Sequence, residues 1–272
     1  MANSVNTNVG ALIALQNLNS TNSQLADVQT RINTGKRVAS AKDNGAVWAI
    51  AQNQRAASNA LNSVKESLQR GQSTVEVAIS AGESISDLLL QLKEKALASA
   101  DSGLDTTSRT ALADEFSSLK LQITKAVNNA EFNGGNLIKQ AGVTIKSLAN
   151  SDGSSVITVN AQTLTLTALA INASTITSVT LATQAITALN AAIAEVSSKL
   201  SAFGTGAKAL ASHFTFISKL QDTIDAGVAN LVDADQAKES ARLQALQTKQ
   251  QLGIQALSIA NQAPQVLLGL FR

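Results

Sequence analysis

The chain has 272 residues, of which 44% are hydrophobic but only 3% aromatic, and its 21 basic and 19 acidic side chains leave a net charge of +2. That balance argues against the clustered basic surface of a nucleic-acid binder. Cysteine is absent, which removes disulfides and thiolate metal sites, and no apolar run reaches the roughly 18 residues of a membrane span.

The apolar content is mostly Ala, Leu, Ile and Val, and the single proline, Pro264, lies near the end. Ala and Leu favour helix, and without internal proline the helices are free to be long. The first informative feature is where charge is missing. Met1 to Ala26 and Gln250 to Phe271 carry no charged side chain. In a homopolymer a crowded interior would stack the like charges of every copy, whereas amides can hydrogen-bond there without repulsion. Charge depletion at both ends therefore suits terminal helices buried between copies.

In the first helical stretch Leu18, Thr21, Leu25, Val28 and Ile32 share one stripe, and Val5, Val9 and Leu12 lie on another. Near the C-terminus Leu243, Leu246 and Leu257 mark one stripe, and Leu252, Ile259 and Val266 a second. A helix that is apolar on more than one side needs several neighbours. Isolated helices are marginal in water, so both ends are expected to be mobile in the monomer and to order between subunits. Asn33-Thr34-Gly35 is a stop signal for the first helix, and Lys36 to Gly45 reads as a connector.

Two sustained seams follow. Leu61, Val64, Leu68, Gly71, Val75, Ala78, Gly82, Ile85, Leu89 and Leu92 alternate at spacings of three and four. A longer run takes in Ile186, Leu189, Ile193, Val196, Leu200, Phe203, Ala207, Leu210, Phe214, Ile217, Gln221, Ile224, Val228 and Leu231. Such seams read as coiled-coil packing, and the second would extend about 70 Å. Between them Leu112, Phe116, Leu119, Ile123 and Ala126 form a shorter run, with Asp105, Thr106 or Thr107 as its N-cap. Ser102-Gly103 and Gly134-Gly135 punctuate its two sides. Partial alternation from Val156 to Thr167 predicts a short β-hairpin. The Ser/Thr-rich stretch Ser147 to Thr187, with Asp152 as its one charge, is expected on an exposed outer face. The fold expected is mainly α: an elongated antiparallel coiled-coil bundle with a small β-hairpin.

No constellation for catalysis emerges. His213 is the single histidine, next to seam positions, and has no second His or Cys with which to hold a metal. Phe203-Gly204-Thr205-Gly206 resembles half of a dinucleotide loop but lies inside the longest seam. Asp222 with Asp225, and Asp233 with Asp235, are ordinary pairs on solvated helix faces. Trp48 reads as core or interface packing.

Three separated motifs carry a family resemblance. Arg31 to Gln52 (RINTGKRVASAKDNGAVWAIAQ), Asn128 to Ile138 (NNAEFNGGNLI) and Asn261 to Arg272 (NQAPQVLLGLFR) resemble, in order, the N-terminal signature, the turn after the second core helix and the C-terminus of bacterial flagellins. The resemblance covers about residues 1–140 and 185–272 and implies a short member without large outer domains. It implies an inner domain of residues 1–42 and 230–272 in which both termini form a paired-helix unit. A coiled-coil core domain of residues 43–229 surrounds it, with its hairpin around 137–168. The implied function is a structural subunit that self-polymerises into the extracellular flagellar filament for swimming, not an enzyme and without cofactor. Other members of the superfamily form the hook–filament junction, and a cytoplasmic coiled-coil scaffold is the alternative from another class; abundance in sheared filaments, and secretion itself, separate them.

The polymerisation interface implied comprises Val5, Val9, Leu12, Leu18, Leu25, Ile32, Lys36, Arg37 and Asp43 at one end. At the other it comprises Leu252, Leu257, Ile259, Pro264, Val266, Leu267, Leu270, Phe271 and Arg272. The partners implied are copies of the chain, other flagellins in the same filament, hook-associated and cap proteins, the flagellar type III export apparatus and a secretion chaperone. Neither nucleic acid nor membrane insertion is expected. Export through that apparatus would account for an N-terminus that lacks the basic and apolar regions of a cleavable signal.

Overall fold

The structure, a computed structural model, describes the backbone of residues 7–269 and the side chains of residues 7–262. Among the described residues the order is α1 (Val9–Thr34), α2 (Gly45–Ser99), α3 (Thr106–Asn129), β1 (Ile145–Leu148), β2 (Val156–Val159), α4 (Val179–Val232) and α5 (Gln236–Gly269). The chain is mainly α with one small antiparallel hairpin. It divides into two compact units, residues 57–222 and residues 1–56 with 223–272.

The unit of residues 57–222 is built on the seams. All ten α2 positions from Leu61 to Leu92 are buried, and the row continues to Ala96 and Ser99. In α4 the burial alternates. Leu189, Val196, Phe203, Leu210 and Ile217, seven residues apart, are fully buried, while Ile186, Ile193, Leu200, Ala207, Phe214 and Gln221 are half-buried. The two helices are antiparallel, since Lys65 meets Gln221 and Gly82 meets Leu200. An 18-residue window of α4 has a mean hydropathy of 1.3, enough by length and composition to cross a membrane. Of that window 28% is buried within the chain.

Gln221, the polar seam position, is accommodated by hydrogen bonding. Its amide donates to the Ser58 carbonyl at 3.3 Å and to Asn62 Oδ1 at 2.9 Å, and it accepts from Lys65 Nζ at 3.4 Å. The two seam glycines are places of close approach. At Gly71 a Cβ would collide with the Ser147 hydroxyl of β1, and at Gly82 it would lie 2.6 Å from Leu200 Cδ2 and 3.5 Å from Leu164 Cδ1. Gly82→Leu tests this. Removing Gly from a helix gains about 1 kcal/mol, but overpacking a filled core costs about 1–3 kcal/mol. A lower melting temperature by circular dichroism is expected, and an unchanged or higher one would show that the notch has room to spare.

At the α2–α3 corner Asp105 caps α3 by accepting from Ser108 N at 3.2 Å. Arg109, buried, ties the corner together: its guanidinium donates to the carbonyls of Ser99, Asp101 and Leu104. After α3, the buried Asn136 donates to the Val127 carbonyl at 2.7 Å and accepts from the Ile138 and Lys139 amides at 2.9 Å.

The hairpin differs from the sequence expectation. Its strands are Ile145–Leu148 and Val156–Val159, paired from Ile145↔Val159 to Leu148↔Val156, around a turn in which Gly153 has φ 69°. Residues beyond Val159 are extended but pair elsewhere: the Gln162 and Leu164 amides donate to the carbonyls of Leu137 and Ile138. The alternation of Leu164 and Leu166 is therefore not that of a strand: Leu164 covers the turn region after α3, and Leu166 lies in a turn, where its carbonyl accepts from the Ile171 amide. In the same Ser/Thr-rich stretch Leu164, Leu169, Ile171 and Ile176 are fully buried, so it is not simply an outer face.

The other unit pairs α1 with α5. This is the paired-helix unit that the resemblance implied, and it differs from the stripe-based expectation that the ends order only between subunits. Asn8 caps α1 through the Ala11 amide at 3.0 Å and donates to the Ala260 carbonyl at 2.6 Å. Gln250 donates to Asn22 Oδ1 at 2.8 Å, and Arg31 meets Glu239 at 3.5 Å. Amides and one ion pair thus supplement a thin apolar contact, a combination that stripe counting does not detect.

Candidate functional site

α1 ends at Thr34 because Gly35 adopts the left-handed conformation, φ 69°. The chain then lies across the junction of α4 and α5. The Arg37 and Val38 amides both donate to the Val232 carbonyl, the Ala234 amide donates to the Gly35 carbonyl, and Lys36 bridges Asp233. Beneath them Val38, Ala51, Val228 and Val232 form a small core with Val47, Trp48, Ile224 and Leu231. Trp48 is thus a core residue, as its apolar setting suggests.

The expected contact residues of the connector have work within the chain. Arg37 Nη2 donates to the Leu231 carbonyl at 2.8 Å. Asp43 accepts from the Ser40 and Ala39 amides at 2.9 and 3.0 Å and from the Ser40 hydroxyl at 3.1 Å. The Ser40 amide is the main reason that the Asp43 carboxyl titrates below its ordinary range, with the Ser40 hydroxyl, the Ala39 amide and the charge of Arg31 adding to it. Since the folded pKa is the depressed one, this stabilisation is present above the ordinary carboxylate range and is lost as pH falls through the folded value. Trp48, the one tryptophan of the chain, lies close by in sequence and in the same unit. Its fluorescence is expected to report an acid transition that Asp43→Asn moves or removes. The same acid profile in that variant would show that the connector does not depend on this carboxylate.

The two terminal helices keep several apolar side chains exposed. Thr21 and Val28 of α1 and Leu246 of α5 are buried, and Leu18, Leu25, Ile32 and Leu243 are half-buried. Leu18 lies against Gly253, where a Cβ would sit 3.3 Å from its Cδ1. The buried Thr21 hydroxyl is satisfied by the Asn17 carbonyl at 2.9 Å. This stripe is consumed by the pairing. The others are not: Val9 is 55% exposed, Leu12 56%, Leu252 58% and Ile259 69%. Ile13, Leu15 and Ile254 are exposed beside them; the stripe reading passed over these three, although they lie in or beside the same charge-free stretches. Leu257 is half-buried in an open groove of about 460 Å³ with Asn8, Ala11, Leu12, Leu15 and Asn261.

Val5, Leu270, Phe271 and Arg272 lie outside the described residues, as do the side chains of Pro264, Val266 and Leu267. Arg31 and Glu239, which join α1 to α5, were not among the sequence candidates. Glu239 is mostly buried, with one oxygen facing Arg31 and the other without a hydrogen-bond partner.

The residues weighed for chemistry have structural roles. His213 Nε2 pairs with the Ala149 carbonyl at 2.7 Å, holding the hairpin to α4. Phe203 is core, and Gly206 sits against Val159. Asp235 caps α5 through the Ala237 and Lys238 amides. No group of three or more His, Cys, Asp or Glu side chains among the described residues is placed to hold a metal ion.

Residues 5–143 match the bacterial flagellin N-terminal helical region, and residues 186–271 match the bacterial flagellin C-terminal helical region. The chain belongs to the bacterial flagellins. Flagellin FljN of Caulobacter vibrioides is 59% identical over 271 residues, and flagellin FljM of the same organism 57%, each alignment spanning 99% of both chains. The crystal structure of Bacillus cereus flagellin superposes with a TM-score of 0.51 at 22% identity, covering 56% of this chain and 88% of that one; this likeness speaks for the fold. As a flagellin the protein is a structural subunit that polymerises with itself into the flagellar filament, a surface appendage.

Proposed function

We propose that the α1–α5 pair is the inner, polymer-forming part of the flagellin and that its open apolar rows are the principal contacts between copies. The observation that carries this is the pairing itself. It uses one stripe of each helix and leaves Val9, Leu12, Leu252 and Ile259 exposed in stretches without charge. A lone exposed leucine needs no explanation, but rows of them on paired helices are surfaces awaiting a neighbour. Val5, Pro264, Val266, Leu267, Leu270, Phe271 and Arg272 extend the same interface in this reading. Lys36, Arg37 and Asp43 shape the connector and meet neighbouring copies around it.

In this assignment residues 1–42 and 230–272 are inner and residues 43–229 form the surrounding core. The protein acts outside the cell after export through the flagellar type III apparatus, grows under a cap protein beyond the hook-associated proteins, and has a mechanical role with no reaction to catalyse. Electron microscopy of purified protein after repolymerisation tests it. Long filaments are expected from the intact chain, and a chain that stays monomeric at high concentration would contradict the proposal.

A further inference from the structure

The unit of residues 57–222 carries a cleft of about 360 Å³ between α2, the Phe132–Gly135 turn and β1. Two cations stand at it, Arg70 of α2 and Lys146 of β1. Arg70 is 58% exposed and its one carboxylate neighbour, Glu66, is 4.0 Å away and 71% exposed, too loose and too wet to neutralise it firmly. Lys146 is exposed on the strand that closes the cleft. Ser147, also in the lining, turns its buried hydroxyl to Gly71 of α2 and only closes the floor of the cleft. A guanidinium and an ammonium at the rim of one concave site make it a basic surface that suits a carboxylate.

The same unit presents carboxylates elsewhere. Glu76, Glu83, Asp87 and Glu94 recur along the exposed face of α2, on the side opposite its buried seam. Lys95 is turned to α3, where its Nζ meets Glu115 at 2.7 Å, and Lys93 offsets the row only at its Glu94 end. Basic cleft and acidic row lie on one helix at different heights. One copy cannot bring its own row to its own cleft, because α2 is a single continuous helix, but a second copy can.

We propose that in the filament the Arg70–Lys146 cleft of one subunit takes a carboxylate from the Glu76–Glu94 row of a neighbouring subunit. This rests on the self-assembly described above and adds a polar, register-setting contact to it. Apolar rows of similar residues tolerate sliding, whereas a carboxylate in a cationic cleft has one good position. Charge complementarity of this kind sets orientation and growth rate.

Arg70→Glu with Lys146→Glu in the full chain tests the pairing. Both side chains are exposed, so the circular dichroism melt is expected to match the wild type, while the critical concentration for filament growth rises at least about tenfold. Arg70→Gln with Lys146→Gln should raise it less. Mixing the doubly acidic chain with one carrying Glu83→Lys and Asp87→Lys is expected to restore growth, because the charges are then reversed on both sides. Unchanged growth of the acidic variant would overturn the proposal, and so would a loss of growth that the reversed partner does not rescue. If the wild-type chain itself forms no filaments, the assembly reading falls, and this pairing with it.

Discussion

Leu252→Asp combined with Ile259→Asp is expected to leave a folded monomer that no longer forms filaments. Both side chains are more than half exposed on α5, so the monomer loses little packing, and surface changes of this kind usually stay within about 0.5 kcal/mol. The poorer helix propensity of Asp adds a few tenths of a kcal/mol at each site. In the polymer the balance reverses. Fully burying one such apolar side chain contributes about 1.5–3 kcal/mol. Two lost from every interface therefore weaken each contact by about 3 kcal/mol or more, on the order of a hundredfold in affinity. The added carboxylates would also be repeated in every copy. Sedimentation and circular dichroism on the same sample separate the two effects. Filaments at the wild-type critical concentration would remove the assigned role of this face, and a collapsed helical signal would show that these residues serve the monomer.

Phe203→Ala is expected to be the most costly of the single substitutions proposed for the unit of residues 57–222. Phe203 is fully buried in α4, on the row that runs from Leu189 to Ile217. Truncating a buried phenylalanine costs about 3–5 kcal/mol, a large part of the 5–15 kcal/mol typical of a domain. Phe214 supplies the comparison. It belongs to the intervening half-buried row, and the Lys65 ammonium lies 5.6 Å from its ring centre. Phe214→Ala should therefore cost clearly less, since its site is already partly wet and can relax. Urea unfolding should show a large fall in midpoint for Phe203→Ala and a small one for Phe214→Ala. Equal falls would mean that the two rows of α4 are not distinct in packing.

Much of this organisation was legible in the sequence because helical seams obey a short-range rule. All ten α2 seam positions are buried, since a period of three and four places them on one side whatever the partner. Gly35 ends α1 and Asp105 begins α3 for equally local reasons. Features that depend on distant segments were not legible. β1 has no strand pattern of its own, and Ile145–Leu148 becomes a strand through its pairing with Val156–Val159 and its fit over Gly71. Arg109 and Asn136 look like ordinary polar residues until the carbonyls they satisfy are known.

The candidate site shows the same division. Charge depletion identified the two ends, and the stripes identified Leu252 and Ile259 as surplus to one helix pair. The resemblance already paired the two ends, but the contacts that join α1 to α5, through Asn8, Gln250 and the Arg31–Glu239 pair, lie between residues more than two hundred positions apart and have no local signal. Arg37 and Asp43 read as loop charges, yet each makes specific bonds that give the connector its shape.

Cryo-electron microscopy of the reassembled filament is the most direct measurement. Val9, Leu12, Leu252 and Ile259, exposed in the single chain, are expected to be buried against other copies while α1 and α5 of each subunit remain paired. A filament in which these four side chains still face solvent, with the contacts between copies made elsewhere, would contradict this.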